Sequence, residues 1–222
     1  MMERDQWAIG DAVVVKAGVK APDTGDAIGG WQGRISAIQA GEPPILTIHW
    51  DSVTLKSLPA AFIEYSVEEG LSWTEMNLEP QAVIHTTPRD TVEEVAGAIA
   101  VIEPSYSWRW VGGEQGKRIQ QIVDQAQGTG PLAESKAWHS YLEEHLKGPF
   151  TATAGVRHGP VRSGDTVKVL GVSFWDESYG TLVAVTHPEG VDEVPLRELD
   201  LVGAEEATQE LVDDYQLWSA NG

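Results

Sequence analysis

The chain has 222 residues and no cysteine, which excludes disulfides, thiolate catalysis and cysteine-ligated zinc. Lys and Arg total 15 against 34 Asp and Glu, a formal charge of −19; such a surface repels phosphate backbones and anionic bilayers and attracts cations and basic partners. Hydrophobic residues make up 41%, ordinary for a folded protein, and no apolar run is long enough to span a bilayer.

The opening Met1-Met2-Glu3-Arg4-Asp5 carries acids and lacks the basic-then-apolar layout of a secretory signal. The expected setting is therefore the cytoplasm, with no nucleic-acid or membrane partner. After Gly10 the β-branched run Asp11-Ala12-Val13-Val14-Val15 predicts a strand. Trp31 to Ile38 predicts a second, and the alternating Ile45-Leu46-Thr47-Ile48-His49-Trp50 a third. Gly29-Gly30 and Gly41-Glu42-Pro43-Pro44 supply the turns between them. Leu58 to Ile63, with Pro59 near its first turn, opens a short helix, and Asn77 to His85 reads as a last strand or extended edge. Short strands and tight turns within about ninety residues predict a small SH3-like barrel over residues 1–88.

A helical linker is expected over 89–130. Thr91-Val92-Glu93-Glu94 is a capping box; Val92, Val95, Ala96, Ile99 and Ile102 follow at helical spacing until Pro104. Gln115 to Ala126 continues it, and Gly128-Thr129-Gly130-Pro131 breaks it. From Pro131 to Leu146 a third helix places Trp138, Tyr141, Leu142, His145 and Leu146 on one side. His145 on that face reads as a hydrogen-bonded core histidine.

The remaining segment returns to β. Gly164 to Val169 echoes Gly10 to Val15, Tyr179 to Val185 echoes Trp31 to Ile38, and Val194 to Leu199 echoes Leu58 to Ile63. These echoes predict a second SH3-like barrel within residues 131–222, each Gly-Asp pair making the turn that starts a strand. A final helix carries Leu211, Tyr215 and Trp218 on the face that docks onto it. The fold class expected is mixed β/α (α+β): two small SH3-like β-barrels joined by a helical segment, with a C-terminal helix.

Enzyme templates find no match. There is no G-x-S-x-G elbow, no H-E-x-x-H and no Walker loop. Gly112-Gly113-Glu114-Gln115-Gly116-Lys117 has the wrong spacing and no Ser or Thr after its Lys. The six histidines are scattered, and no nucleophile is placed beside a base. No enzymatic activity is expected. Of the nine tryptophans, Trp31, Trp50, Trp138 and Trp218 fall on apolar faces and read as core. Trp7, Trp73 and Trp175 are candidates for a peptide groove with acidic rims.

The acids are the remaining candidates. Calcium is a hard cation that takes six to eight oxygens, several from loop carboxylates. No EF-hand loop is present; Asp23-Thr24-Gly25-Asp26 comes nearest and lacks oxygens at the alternate positions. In the last segment Asp176-Glu177 precedes a turn, Asp192-Glu193, Glu198 and Asp200 flank the next strand, and Asp213-Asp214 lies on the final helix. Taken singly, each pair is also what a solvated surface carries.

Five motifs in order, over residues 131 to 220, resemble the cyanobacterial calcium-binding protein CcbP family. They are Trp138 to Leu146 with Gly148-Pro149-Phe150-Thr151-Ala152, Gly164 to Gly171, Asp176-Glu177-Ser178-Tyr179-Gly180, Val194 to Leu199, and Asp213 to Trp218. The resemblance implies an acidic SH3-like domain that binds calcium. The acids on its motifs are Asp176, Glu177, Glu198, Asp213 and Asp214, with Asp200 a neighbour. The chain departs from the family at Gly148, where a bulkier residue commonly stands, and in its long N-terminal extension. The expected function is non-enzymatic calcium binding, for buffering or sensing, with Ca2+ as the bound ion. The alternative is an interaction module whose barrels bind a peptide or protein partner.

Overall fold

Two Gly-Asp pairs build the same turn in two places. In a computed structural model of the chain, which describes residues 7–188 and 190–222, Gly10 and Gly164 take positive φ values of 93° and 88°. The Asp11 amide donates to the Ala8 carbonyl at 3.1 Å, and the Ala8 amide donates to the Asp11 carboxylate at 2.8 Å. Asp165 and Arg162 repeat both bonds, at 3.0 and 2.8 Å. Glycine reaches positive φ without a Cβ penalty, and the following carboxylate closes the turn. The segment Met1 to Asp5 lies outside the described residues.

The chain divides into two units between Val111 and Gly112. In the first, β1 (Ala12–Val15), β2 (Gln32–Gln39), β3 (Ile45–Trp50), β4 (Glu75–Leu78) and β5 (Val83–His85) form an antiparallel sheet in the order β4-β3-β2-β1-β5. Two helices, α1 (Ser52–Ser57) and α2 (Ala60–Glu68), are inserted between β3 and β4, and a 3₁₀ turn at Pro80–Ala82 precedes β5. The alternation read in Ile45–Trp50 has its physical cause in the pleat: Leu46, Ile48 and Trp50 point inward and are fully buried. They pack with Val13, Val15, Ile35, Leu55, Phe62 and Ile63. Helix α3 (Val92–Ile102) starts at the capping box, with both reciprocal bonds made, and adds Val95 and Ala98 to this core.

Residues 89–90 are held against that sheet by two ion pairs. Arg89 spans both oxygens of Asp51, at 2.5 and 3.0 Å, while Asp51 caps α1. Asp90 accepts from Arg34 at 2.8 Å and from the Ser52 amide at 2.5 Å. Burial pushes the Asp90 carboxyl pKa up, but those hydrogen bonds and the Arg34 charge together carry it below its ordinary value. The division at Val111 therefore falls inside the segment expected to be a linker: α3 belongs to the first unit, and the next helix to the second.

In the second unit α4 (Gly113–Val123) and α5 (Pro131–His145) precede β6 (Phe150–Ala154), β7 (Thr166–Asp176), β8 (Gly180–His187), β9 (Gly190–Pro195) and β10 (Leu199–Val202). The sheet order is β10-β6-β7-β8-β9, all antiparallel. A 3₁₀ turn at Leu196–Glu198 precedes β10, and α6 (Glu206–Asn221) closes the unit. Its core joins Val169, Val183, Val185, Leu196 and Leu199 to Trp138 and Leu142 of α5 and to Val212, Tyr215 and Trp218 of α6. The Trp138 ring lies 5.6 Å from Tyr215 and 5.8 Å from Trp218.

Each sheet has the same internal order, fourth-third-second-first-fifth, with a 3₁₀ turn before its fifth strand. Among the described residues the two edge strands of each sheet share no ladder. The expected barrels are thus open five-stranded sheets within a mixed α/β fold. The repeat is one of topology, and the sequence echoes pair strands that are not equivalent. Gly10-Asp11 precedes the first strand of its sheet and Gly164-Asp165 the second strand of the other. The counterpart of Val194 to Leu199 is Leu78 to Val83, around the 3₁₀ turn, whereas Leu58 to Ile63 leads into α2. A Gly-Asp turn before a β-branched run marks the start of a strand without marking which strand it is.

His145 departs from its expected place. It is exposed, its Nδ1 lies 2.9 Å from the Tyr141 carbonyl, and its ring stacks on Tyr141 at 4.0 Å. The buried stripe of α5 runs through Trp138, Leu142 and Leu146 at a spacing of four, and His145 lies one residue off it. No helix of the described residues is long and apolar enough to cross a membrane.

Candidate metal centre

The turn between β7 and β8 carries the first pair of candidate acids. One Asp176 oxygen accepts from the Ser178 and Tyr179 amides, at 2.8 and 3.0 Å, so this carboxylate shapes the turn and keeps its second oxygen for another partner. Glu177 beside it is exposed. Gly180 ends the turn with φ at 73°, and a Cβ there would lie 2.6 Å from the Tyr215 hydroxyl. That hydroxyl accepts from the Thr181 amide at 2.9 Å; burial pushes its pKa up. Helix α6 is thereby fastened to the turn.

Beside the turn lies a cleft of about 290 Å³, lined in part by Trp175, Glu177, Arg197 and Trp218. Arg197 donates to the Ser178 carbonyl at 3.2 Å, and its Nε is 3.5 Å from a Glu198 oxygen. This arginine links Glu198 to the turn that holds Asp176 and Glu177.

The other acids are dispersed. Asp200 is exposed on β10, opposite Thr153. Asp213 is exposed on α6 and accepts from Gln209 at 2.7 Å. Asp214 points inward, only 1% exposed, and Arg118 of α4 grips both its oxygens at 2.6 and 3.1 Å. Bidentate pairing satisfies a buried carboxylate; a cation at Asp214 would have to displace the guanidinium. The hydrogen bond that Arg118 donates to Asp214 raises the Arg118 pKa. Arg118 was not singled out in the sequence, although an Asp bordering an apolar helix face signals that a cation must meet it. Of the neighbouring acids, Asp192 lies 2.7 Å from His187, and Glu193 accepts from Ser173 at 3.1 Å.

The donors are all oxygens of the hard type that calcium takes. Among the described residues, however, no three His, Asp or Glu side chains form a group that could hold a metal ion. The structure brings Asp176, Glu177 and, through Arg197, Glu198 to one end of the second sheet; it does not bring Asp200, Asp213 or Asp214 to them as a cluster.

The tryptophans divide differently from expectation. Trp50, Trp138 and Trp218 are buried, and so is Trp73, while Trp31 is half-buried. Trp7 stacks on His85 at 4.2 Å. Trp175 donates to Ser135 at 2.8 Å and has the Lys136 ammonium 5.1 Å from its ring centre.

A family model described as calcium binding, CcbP, matches residues 117–219. The matched stretch begins within α4 and so takes in Arg118 as well as all six candidate acids. Two solved structures are similar to the chain. The crystal structure of Anabaena CcbP is 22% identical, with a TM-score of 0.41, over 48% of this chain and 89% of that one. A calcium binding protein in the calcium-binding form is 22% identical, with a TM-score of 0.39, over 49% of this chain and 91% of that one. No curated protein matches the chain.

Proposed function

We propose that the second unit binds Ca2+ and that the protein is a non-enzymatic binder of this ion. The observation that carries the reading is the calcium-binding family model over residues 117–219, the segment that holds the candidate acids. The oxygen-only donor set supports it. Asp176 and Glu177 are the first ligands in this proposal, with Glu198 beside them at the end of Arg197. Asp200 and Asp213 are exposed carboxylates that add to the local negative field. Asp214 acts structurally, holding α6 to α4.

Exposed carboxylates that are not gathered beforehand must be ordered as the ion binds, and backbone carbonyls and water must complete the coordination. That places the expected affinity at about micromolar or weaker, suited to buffering, or to sensing large changes in concentration. Isothermal titration of the metal-stripped protein with CaCl₂, at near-physiological salt with Mg2+ present, tests the reading. Saturable binding that D176N/E177Q loses supports it. Weak heats that vanish with added salt would reject a calcium site; saturable binding unchanged in the variant would reject these ligands.

A further inference from the structure

The first unit contains a cleft that calcium binding by the second leaves unexplained. The loop between β1 and β2 is folded back on itself: Lys20 and Ala27 form a bridge, and the Ala21 amide donates to the Asp26 carbonyl at 2.8 Å. Between this loop and α2 lies a cleft of about 410 Å³ lined by Asp23, Asp26, Trp31, Pro59, Phe62 and Tyr65, among others. An adjoining cleft of about 150 Å³ shares Asp23 and Phe62 and adds Glu75.

Three aromatic rings and two carboxylates border the larger cleft, Glu75 lines its neighbour, and among the described residues none that lines either is basic. The platform is rigid. Trp31 stands edge-on against Trp50 at 5.3 Å and against Phe62 at 5.1 Å, and both of those rings are core. Tyr65 is 42% exposed. The Asp23 and Asp26 carboxylates are exposed and make no hydrogen bond or ion pair with other described residues. Aromatic faces with unneutralised carboxylates beside them select a cation that is flat and weakly hydrated, which describes a guanidinium better than an ammonium. Proline-rich chain is already extended and docks on aromatic grooves at low entropic cost.

We propose that this cleft docks a peptide segment through an arginine side chain placed between Tyr65 and the carboxylates of Asp23 and Asp26. The test is titration of the full chain, in EDTA, with a capped octapeptide of prolines carrying two arginines, alongside the same peptide with glutamine for arginine. Because the whole protein is acidic, an E143Q/E144Q variant, on α5 of the second unit, serves as the charge-matched control. The arginine peptide should saturate a single site, D23N/D26N and Y65A should each weaken it about tenfold, near 1.4 kcal/mol, and E143Q/E144Q should leave it within twofold. Circular dichroism establishes that each variant is folded; should Y65A fail, the loop carboxylate variant decides. Equal weakening by the two acid variants would show attraction to net charge and overturn the site. Equal binding of the glutamine peptide, or no saturable binding, would overturn it as well. With EDTA present, none of these outcomes depends on the calcium reading.

Discussion

Asp214 is the clearest case of a residue whose surroundings assign its role. Its carboxylate is buried and its two oxygens take two guanidinium hydrogen bonds from Arg118. Removing one partner of such a pair leaves a desolvated charge behind, typically a loss of about 3–5 kcal/mol when both are buried. Arg118 is about one third exposed, and water will screen part of that loss. R118M is therefore expected to lower the stability of the second unit by about 2–3 kcal/mol in urea unfolding, with R118K recovering a fraction through a single hydrogen bond. If R118M and D176N/E177Q reduced calcium binding alike without R118M altering stability, Asp214 would belong to the ion site rather than to the packing.

At the scale of elements, the β7–β8 turn is built from both sides. Asp176 caps it from within, and Tyr215 of α6 holds its exit through the Thr181 amide. Gly180 is required twice over, once for its positive φ and once because a Cβ would meet the Tyr215 hydroxyl. G180A should cost about 2–3 kcal/mol, the sum of backbone strain and forced displacement of a buried ring. Y215F removes the clashing oxygen but leaves the Thr181 amide unpaired, about 1–2 kcal/mol. In a double-mutant cycle the pair should therefore cost less than the sum of the singles. Strict additivity would mean that the turn and α6 are not coupled.

For the whole molecule, the two units carry separate proposals, and the ligands should report on them separately. A ligand that binds only the folded state stabilises it by mass action, about 2.7 kcal/mol at one hundred times its Kd. Hydrogen exchange on the intact chain should show calcium protecting amides of residues 112–222 to that extent, with little change in residues 7–111. Protection spread evenly over both units would place calcium elsewhere than the acids of the second. The sequence left the boundary between the units anywhere within residues 89–130, and the division falls at Val111. The hydrophobic pattern of α3 was legible, but its destination was set by Val95 and Ala98 entering the first core and by Asp51 and Asp90 gripping Arg89 and Arg34.

What the sequence by itself determined is local. The strand at Ile45–Trp50 and the start of the one at Thr166 follow from β-branched residues and a period of two, the start of α3 from its capping box, and the paired Gly-Asp turns from a residue that reaches positive φ without a Cβ penalty. The net acidity behind the expectation of a cation as partner was equally plain. Only the tertiary structure decided which strands are equivalent, because strand order is a long-range property and both units use the same short-range signals. It also decided which acids are free to act. Asp213 and Asp214 are adjacent in sequence, yet the helical rotation between them turns one to water and the other to Arg118, ninety-six residues away in sequence. The Trp31–Phe62–Tyr65 cleft was hidden for the same reason: its rings come from β2's leading edge and an inserted helix, and nothing in their spacing announces that they meet.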